Sequence, residues 1–266
     1  MIHWVDSADD QRLDPYRRVG DPVWLRQQDL FVAEGRLVVE RLLALGRYDV
    51  PSVVVNRAAH DALLASLAGA DSNVYVCADS ILAAITGFNF HRGCLALARR
   101  PAPLRAEALT GGTMLLGLEG VGNPDNVGGL FRTAAAFGAT GVLLDTTSGD
   151  PFYRKAVRTS MGAALRLPFV RLEHWPDDLG AFRSAAFTVV ALTPRATVQP
   201  IAEFAATLSP GRRIVLLAGS EGHGLSGAAM SYADAAVRIP IEDAVDSLNV
   251  TVAAGIALSW LCDALR

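Results

Sequence analysis

The stretch GSEGHGLSG, residues 219–227, follows the apolar run RRIVLLA (212–218), and the work done by its glycines decides how the rest of the chain is read. Gly222, Gly224 and Gly227 satisfy the G-x-G-x-x-G spacing of a dinucleotide-binding turn. A strand-like run precedes them, and Glu242 and Asp243 stand where a ribose-binding acid belongs. Position along the chain argues against that reading. A Rossmann fingerprint follows the first strand of its sheet and needs several more strand-helix units after it, whereas only about 40 residues follow Gly227. A nicotinamide-dependent oxidoreductase is therefore the weaker alternative, separable by a test for NAD binding.

The 266 residues suffice for one large domain or two ordinary ones. Apolar residues make up 51% of the chain but come in short runs broken by Gly, Pro and charge, so no stretch approaches a membrane span. The N-terminal MIHWVDSADDQRLDP is acidic and polar, without the basic start and apolar core of a secretory signal, which gives the expectation of a cytoplasmic protein. Cys77, Cys94 and Cys262 are widely separated and the five histidines scattered, so neither a disulfide framework nor a metal site is expected. A net charge of -3 argues against indiscriminate coating of nucleic acid, yet Arg154, Lys155, Arg158, Arg166 and Arg171 follow one another with no acid among them. Such a run is either a solvated helix face or a local basic patch.

The first hundred residues alternate helical and strand-like segments. VWLRQQDLFVAEGRLVVERLLALG reads as a helix closed by Gly46, SVVVN, NVYVCA and RGCLALA as strands, and AAHDALLASLAG and DSILAAITG as helices. These make a small α/β sandwich domain over residues 1–105. The segment 99–112, rich in proline and arginine, reads as a linker. From residue 113 to 266 the strands TMLLGLEG, GVLLD, LPFVRL, AFTVVALT, RRIVLLAG and AAVRIPI alternate with helices, the last running from about Ser247 to Leu265. That order implies a mostly parallel sheet covered on both faces.

Three polar connections follow apolar strands in this second half: LEGVGNPDNVGGLFRTAAAFGATGVLL (118–144), LLAGSEGHGLS (216–226) and RIPIEDAVDSLNVTVAAGIAL (238–258). Loops at the C-terminal ends of strands in an open α/β sheet converge on one pocket. Together these segments resemble the three motifs of the SpoU, or TrmH-like, branch of the SPOUT RNA methyltransferases, over roughly residues 113 to 264. The resemblance is carried by the N-x-x-x-x-x-R of Asn126 to Arg132, by Glu221 between its glycines and by SLNVTVAAGIAL from Ser247. More loosely, the first half resembles the ribosomal-protein-like substrate-binding domain that often precedes this catalytic domain.

The resemblance implies a C-terminal domain folded into a deep trefoil knot, S-adenosyl-L-methionine as cofactor, a ribose 2'-hydroxyl of RNA as methyl acceptor and a homodimer formed through the C-terminal domain. It implies catalytic roles for Asn126, Arg132, Glu221, Ser247 and Asn249, and a cofactor pocket of Leu217, Gly219, Gly222, Ile239, Ile241, Ser247, Leu248 and Asn249. A guanidinium with a pKa above about 12 is a poor base near neutrality, so Arg132 is better suited to clamp a phosphate beside the target and polarise the hydroxyl. Six residues separate it from Asn126, so the two share a pocket only if Asn126 caps the helix. Asn126 either positions Arg132 or the ribose or is a plain N-cap. Glu221 orients Arg132 or a backbone amide, or is a turn-surface acid. Ser247 either caps the last helix or contacts the cofactor. Ser160 contacts RNA or a second chain, and Arg154, Lys155, Arg158 and Arg166 contact RNA phosphates. Ribosomal RNA is favoured over transfer RNA as substrate; a non-catalytic RNA-binding module on the same fold is the further alternative, separated by a test for cofactor binding.

Overall fold

The computed structural model describes residues 1–87, 92–242 and 244–266. Asp243, one of the two acids considered for ribose binding, lies outside the described residues, as do residues 88–91. The chain folds into two compact units, one of Met1–Ala102 with Phe152–Arg166, the other of Pro103–Pro151 with Leu167–Arg266. The linear reading set residues 152–166 in the second half of the chain; they pack with the first.

The first unit holds strands β1 (Ile2–Val5), β2 (Leu30–Glu34), β3 (Ser52–Val55), β4 (Asn73–Cys77) and β5 (Cys94–Arg99), in the order β1-β4-β3-β5-β2. β1, β4 and β3 run parallel, and β5 is antiparallel to β3 and β2. Tyr16, Leu13, Val54, Leu82 and Leu95 fill one side of this sheet. Sequence periodicity merged β2 and its neighbours into a single helix; instead a helix at Pro22–Gln27 ends before Asp29, whose φ of 52 breaks it, and β2 pairs along β5. The helical period of LFVAE yields to a tertiary partner because pairing satisfies its backbone while both faces are buried. The helix that follows, Arg36–Leu45, does end at Gly46, in the left-handed conformation that glycine adopts without steric penalty.

The second unit is one sheet of β6 (Met114–Glu119), β7 (Gly141–Leu144), β8 (Phe169–Arg171), β9 (Phe187–Leu192), β10 (Gln199–Pro200), β11 (Arg213–Gly219) and β12 (Ala235–Arg238). The order is β10-β12-β9-β11-β6-β7-β8, and every pairing is parallel. Continuous apolar runs such as MLLGL and IVLLA make such strands, because helices cover both faces. Leu115, Leu143, Val189, Val215 and Leu217 join one core layer with Phe182 and Phe187. β11 enters between β6 and β9, and β12 between β9 and β10, so the two latest strands occupy slots flanked by earlier ones.

A helix at Pro124–Ala136 follows β6, and the last helix spans Val250–Leu265. The two pack closely: a Cβ at Gly129 would meet Thr251 at 2.9 Å, and one at Gly255 would meet Thr133 at 3.2 Å. No helix among the described residues is long and apolar enough to cross a membrane.

Candidate functional site

The second unit presents the C-terminal ends of four adjacent strands, β12, β9, β11 and β6, and the loops leaving them carry the polar residues picked out in the sequence. The loop after β6 begins at Gly120, with φ +68, and is clasped by the loop after β7. Asp145 accepts from the backbone N–H of Gly120 at 3.2 Å and of Ser148 at 2.8 Å, and the Ser148 hydroxyl accepts from the N–H of Val121 at 3.2 Å. Burial opposes ionisation of Asp145, but donors from Ser148, Thr147 and Gly120 outweigh it and hold the carboxyl below the usual carboxylate range. Arg171 donates to the carbonyls of Asp145, Ser148 and Gly149, so this member of the basic run works as an internal tie.

After β11 the chain turns tightly over residues 219–226. A Cβ on Gly219 would lie 2.1 Å from the carbonyl carbon of Gly224, so only glycine fits. The Gly224 N–H donates to the Ser220 carbonyl at 2.9 Å, and the Ser226 N–H donates to Glu119 Oε2 at 2.8 Å, anchoring the end of the turn to the end of β6. The requirement at Gly219 comes from the loop packing on itself. At Gly222, by contrast, an added Cβ would meet nothing within 4 Å, and that position borders open space.

The third loop ends at Asn249, which caps the last helix. Its Oδ1 accepts from the N–H groups of Thr251 and Val252 at 3.0 and 3.4 Å. Its Nδ2 donates to Asn126 Oδ1 at 3.1 Å and to Glu221 Oε1. An amide offers two donor hydrogens, and both are used here, so Asn249 ties the three connections into one polar hub. Asn126 lies within its helix and is only 8% exposed; Asn123 is the cap, accepting from the Asp125 N–H at 2.9 Å. Capping by Asn126 is thus corrected, as is capping by Ser247: in both cases a neighbouring asparagine provides the acceptor.

Beside the hub opens a cleft of ≈ 570 Å³. Gly219, Gly222, Ile239, Ile241, Ser247 and Leu248 of the expected cofactor set line it, and so does Glu221. Leu217 does not; it is fully buried in the opposite core layer, where its methyl would lie 2.6 Å from a Cβ on Gly117. Alternation along a strand sends neighbours to opposite faces, and Ala218 faces the cleft instead. Sequence reading missed a fourth wall, Thr193, Pro194 and Arg195 after β9. Only the position of TPR at a strand end could have signalled it. Arg238 Nε donates to the Val198 carbonyl at 3.1 Å and fixes this loop to β12.

Arg132 stands apart from the hub. It is exposed and forms no hydrogen bond or ion pair with the described residues. Six residues at about 100° each turn it roughly 120° away from Asn126 on the helix. The partner of Glu221 is therefore Asn249 and not Arg132. In the first unit, Arg154 and Arg158 bind the carboxylate of Glu34, at 2.8 and 3.3 Å, while Arg166 is exposed. Lys155 shares their helix and is partly buried. Ser160 is 1% exposed, its hydroxyl donating to the Val157 carbonyl and accepting from the Ala164 N–H, which leaves it no role at a surface.

Residues 113–259 match the model of the SpoU rRNA Methylase family, more than half of the chain. An uncharacterized tRNA/rRNA methyltransferase of Mycobacterium bovis is 38% identical over 258 residues, covering 95% of this chain and 89% of the relative. Among solved structures, an AdoMet-bound rRNA methyltransferase from Sinorhizobium meliloti superimposes with a TM-score of 0.82 at 26% identity, covering 100% of this chain and 99% of that one. A putative RNA methyltransferase of the TrmH family from Porphyromonas gingivalis gives 0.81 at 27% identity, covering 95% and 97%. With its three loops tied at Asn249 beside a cleft and its sequence matched over nearly its whole length, the chain belongs to the SpoU rRNA methylase family.

Proposed function

We propose that the protein is a cytoplasmic, homodimeric RNA 2'-O-ribose methyltransferase that uses S-adenosyl-L-methionine and acts on ribosomal RNA in preference to transfer RNA, with its catalytic domain knotted as a trefoil. The observation that carries this reading is the hub of Asn126, Asn249 and Glu221 at the edge of a cleft formed by the ends of adjacent parallel strands. A cleft of ≈ 570 Å³ suits a ligand the size of a nucleoside with an amino-acid tail. Its aliphatic residues Ile239, Ile241 and Leu248 suit the faces of an adenine, and the open backbone at Gly222 lets a ligand approach closely. Arg195, Glu221 and Asp246 offer charges of both signs to a zwitterionic methionine end.

When bound, the cofactor supplies a methyl group on a sulfonium, open to in-line attack by a ribose oxygen. The protein's own task is alignment, which can supply much of the acceleration. Ser247, at the mouth of the third loop, contacts the cofactor tail or the ribose. Asn126 and Glu221 hold Asn249, whose amide has no unused donor; the triad is thereby a rigid positioning device for the loops around the reacting atoms. Arg132, always charged, clamps a backbone phosphate next to the target and polarises the 2'-hydroxyl.

Arg132 and the hub face different ways on one chain, which favours a site completed by a second copy. The last helix supports that pairing: Val252 and Trp260 remain 51% and 48% exposed on a helix whose other side is buried. Arg154, Lys155, Arg158 and Arg166 contact RNA phosphates from the first unit.

Incubation with total RNA and methyl-labelled cofactor tests the class of reaction. Label is expected in RNA as 2'-O-methyl nucleotides and absent with Arg132→Ala. Undiminished labelling of an RNA whose target ribose is replaced by deoxyribose sinks the mechanism, and failure to bind S-adenosylhomocysteine in calorimetry favours a non-catalytic RNA-binding module.

A further inference from the structure

The turn at 219–226 carries one side chain that neither the closure of the loop nor the hub uses. His223 sits at its exposed tip, two residues after Glu221, and lines the cleft together with Glu221 and Gly222. Its backbone is fixed: its N–H donates to the Ser220 hydroxyl at 3.4 Å, and the next N–H, that of Gly224, donates to the Ser220 carbonyl at 2.9 Å. Its ring forms no hydrogen bond or ion pair with the described residues. A held backbone thus presents an uncommitted imidazole at the rim of the cleft, on the solvent side from which a macromolecule approaches.

Methylation of a ribose hydroxyl releases a proton, and a group beside the reacting oxygen has to take it. Guanidiniums such as those of Arg132 and Arg195 keep their protons near neutrality. The charged groups around His223 are Arg195 after β9, Glu221 on its own turn, Asp246 on the third loop, and Glu119, which holds the end of the turn through Ser226. Glu221 is already engaged by the amide of Asn249. A carboxylate, with an ordinary pKa of about 4, is a weaker base than an imidazole at about 6.5, and a general base works best when its pKa lies near the operating pH. His223 is the one imidazole among the described residues that line the cleft.

We propose that His223 is the general base of methyl transfer and takes the proton of the ribose 2'-hydroxyl. This rests on the reading of the protein as an RNA 2'-O-methyltransferase, and it supplies what Arg132, as clamp and polariser, leaves undone. The ribose oxygen keeps the electron pair of its O–H bond as the proton passes to a neutral ring nitrogen of His223, and it forms its new bond to the methyl carbon. The pair of the broken carbon–sulfur bond stays on sulfur, leaving a neutral thioether. The positive charge lost there reappears on the imidazolium, which releases its proton to water as the methylated RNA departs.

The test compares the full-length parent with His223→Gln under single-turnover conditions between about pH 5 and 9, with saturating S-adenosyl-L-methionine and RNA from cells that lack the gene. Near neutrality the variant is expected to lose about 100-fold in rate constant, the low end of what a positioned acid or base contributes, while its affinities for RNA and S-adenosylhomocysteine stay within about twofold. The parent's rate is expected to rise with pH through the range in which histidines titrate and then to level, and the variant to lack that inflection. Independently of turnover, the imidazole Cε1 proton resonance that is missing from the spectrum of His223→Gln is expected to shift when S-adenosylhomocysteine and RNA are added together to the parent. A variant that loses affinity for RNA but keeps the rate constant and the inflection makes His223 an RNA contact and overturns the base, as does a resonance that the two ligands leave unmoved. A parent that transfers methyl groups no faster than the variant removes the base and leaves the enzyme assignment standing. A parent that neither binds S-adenosylhomocysteine nor labels RNA removes the assignment itself, and this inference with it.

Discussion

The side-chain amide of Asn249 donates to Asn126 Oδ1 across 3.1 Å, joining two connections that lie 123 residues apart in the chain. The same amide caps the last helix and reaches Glu221. Replacing it separates these tasks. Asn249→Ala removes the cap and leaves the buried oxygen of Asn126 unpartnered, so a stability loss of about 1–2 kcal/mol is expected together with at least a tenfold loss of methyl transfer. Asn249→Asp keeps a good capping oxygen but turns a donor into an acceptor facing Glu221. Its thermal unfolding is expected to stay closer to the parent than that of Asn249→Ala, with activity just as low. Full activity in Asn249→Asp would show that the donor side of the hub has no part in the reaction.

The two glycines of the turn at 219–227 make opposite predictions. Gly219→Ala sets a Cβ 2.1 Å from the backbone of Gly224, so the turn cannot close. Calorimetry is expected to register a loss of S-adenosylhomocysteine binding of at least about tenfold. Gly222→Ala meets no atom within 4 Å and is expected to fold with unchanged melting temperature. A drop in its cofactor affinity then reports a ligand packed against that position, and unchanged affinity moves the ligand elsewhere in the cleft.

The parallel sheet was legible because its strands are unbroken apolar runs, and the site because three glycine- and asparagine-bearing loops follow such runs. What was hidden had specific causes. β2 has the apolar spacing of a helix, and only its pairing with β5 makes it a strand. Leu217 and Ala218 are equally apolar, so which of them faces the cleft depends on the phase of the strand in the sheet. Asn126 has the residue type of a cap, but the helix starts at Pro124 after Asn123, which places Asn126 in its first turn and buries it. The companionship of residues 152–166 with the first unit depends on contacts such as that of Arg154 with Glu34, far apart in sequence.

Asp145 supplies a pH dependence. Burial acts against its charged form, but the donors from Ser148, Thr147 and Gly120 prevail and its carboxyl is depressed in the folded protein. A depressed carboxyl contributes stability above its unfolded value of about 3.9 and loses that contribution as pH falls through the folded value. Asp145→Asn is therefore expected to be less stable than the parent at neutral pH, with the difference shrinking below about pH 4. Urea unfolding at a series of pH values reads this directly; a deficit that grows toward acid pH contradicts it.

The exposed side of the last helix carries the argument for a shared active site. Val252, Ile256 and Trp260 recur every four residues along one side of that helix, and Val252 and Trp260 are about half exposed. Trp260→Glu puts a charge into that stripe, and light scattering is expected to show the mass of one chain where the parent shows two. Arg132 projects from the neighbouring helix on a different side from Asn126, and on the proposed dimeric reading each site takes Arg132 from one chain and the hub from the other. Chains carrying Arg132→Ala and chains carrying Asn249→Ala are each expected to be inactive alone. Co-expressed, they form mixed dimers in which one of the two sites has both residues intact, and activity returns. If each site drew both residues from its own chain, every site in the mixed dimer would lack one of them and mixing would restore nothing. A parent protein that remains a single chain at micromolar concentration while transferring methyl groups rules out the shared arrangement altogether.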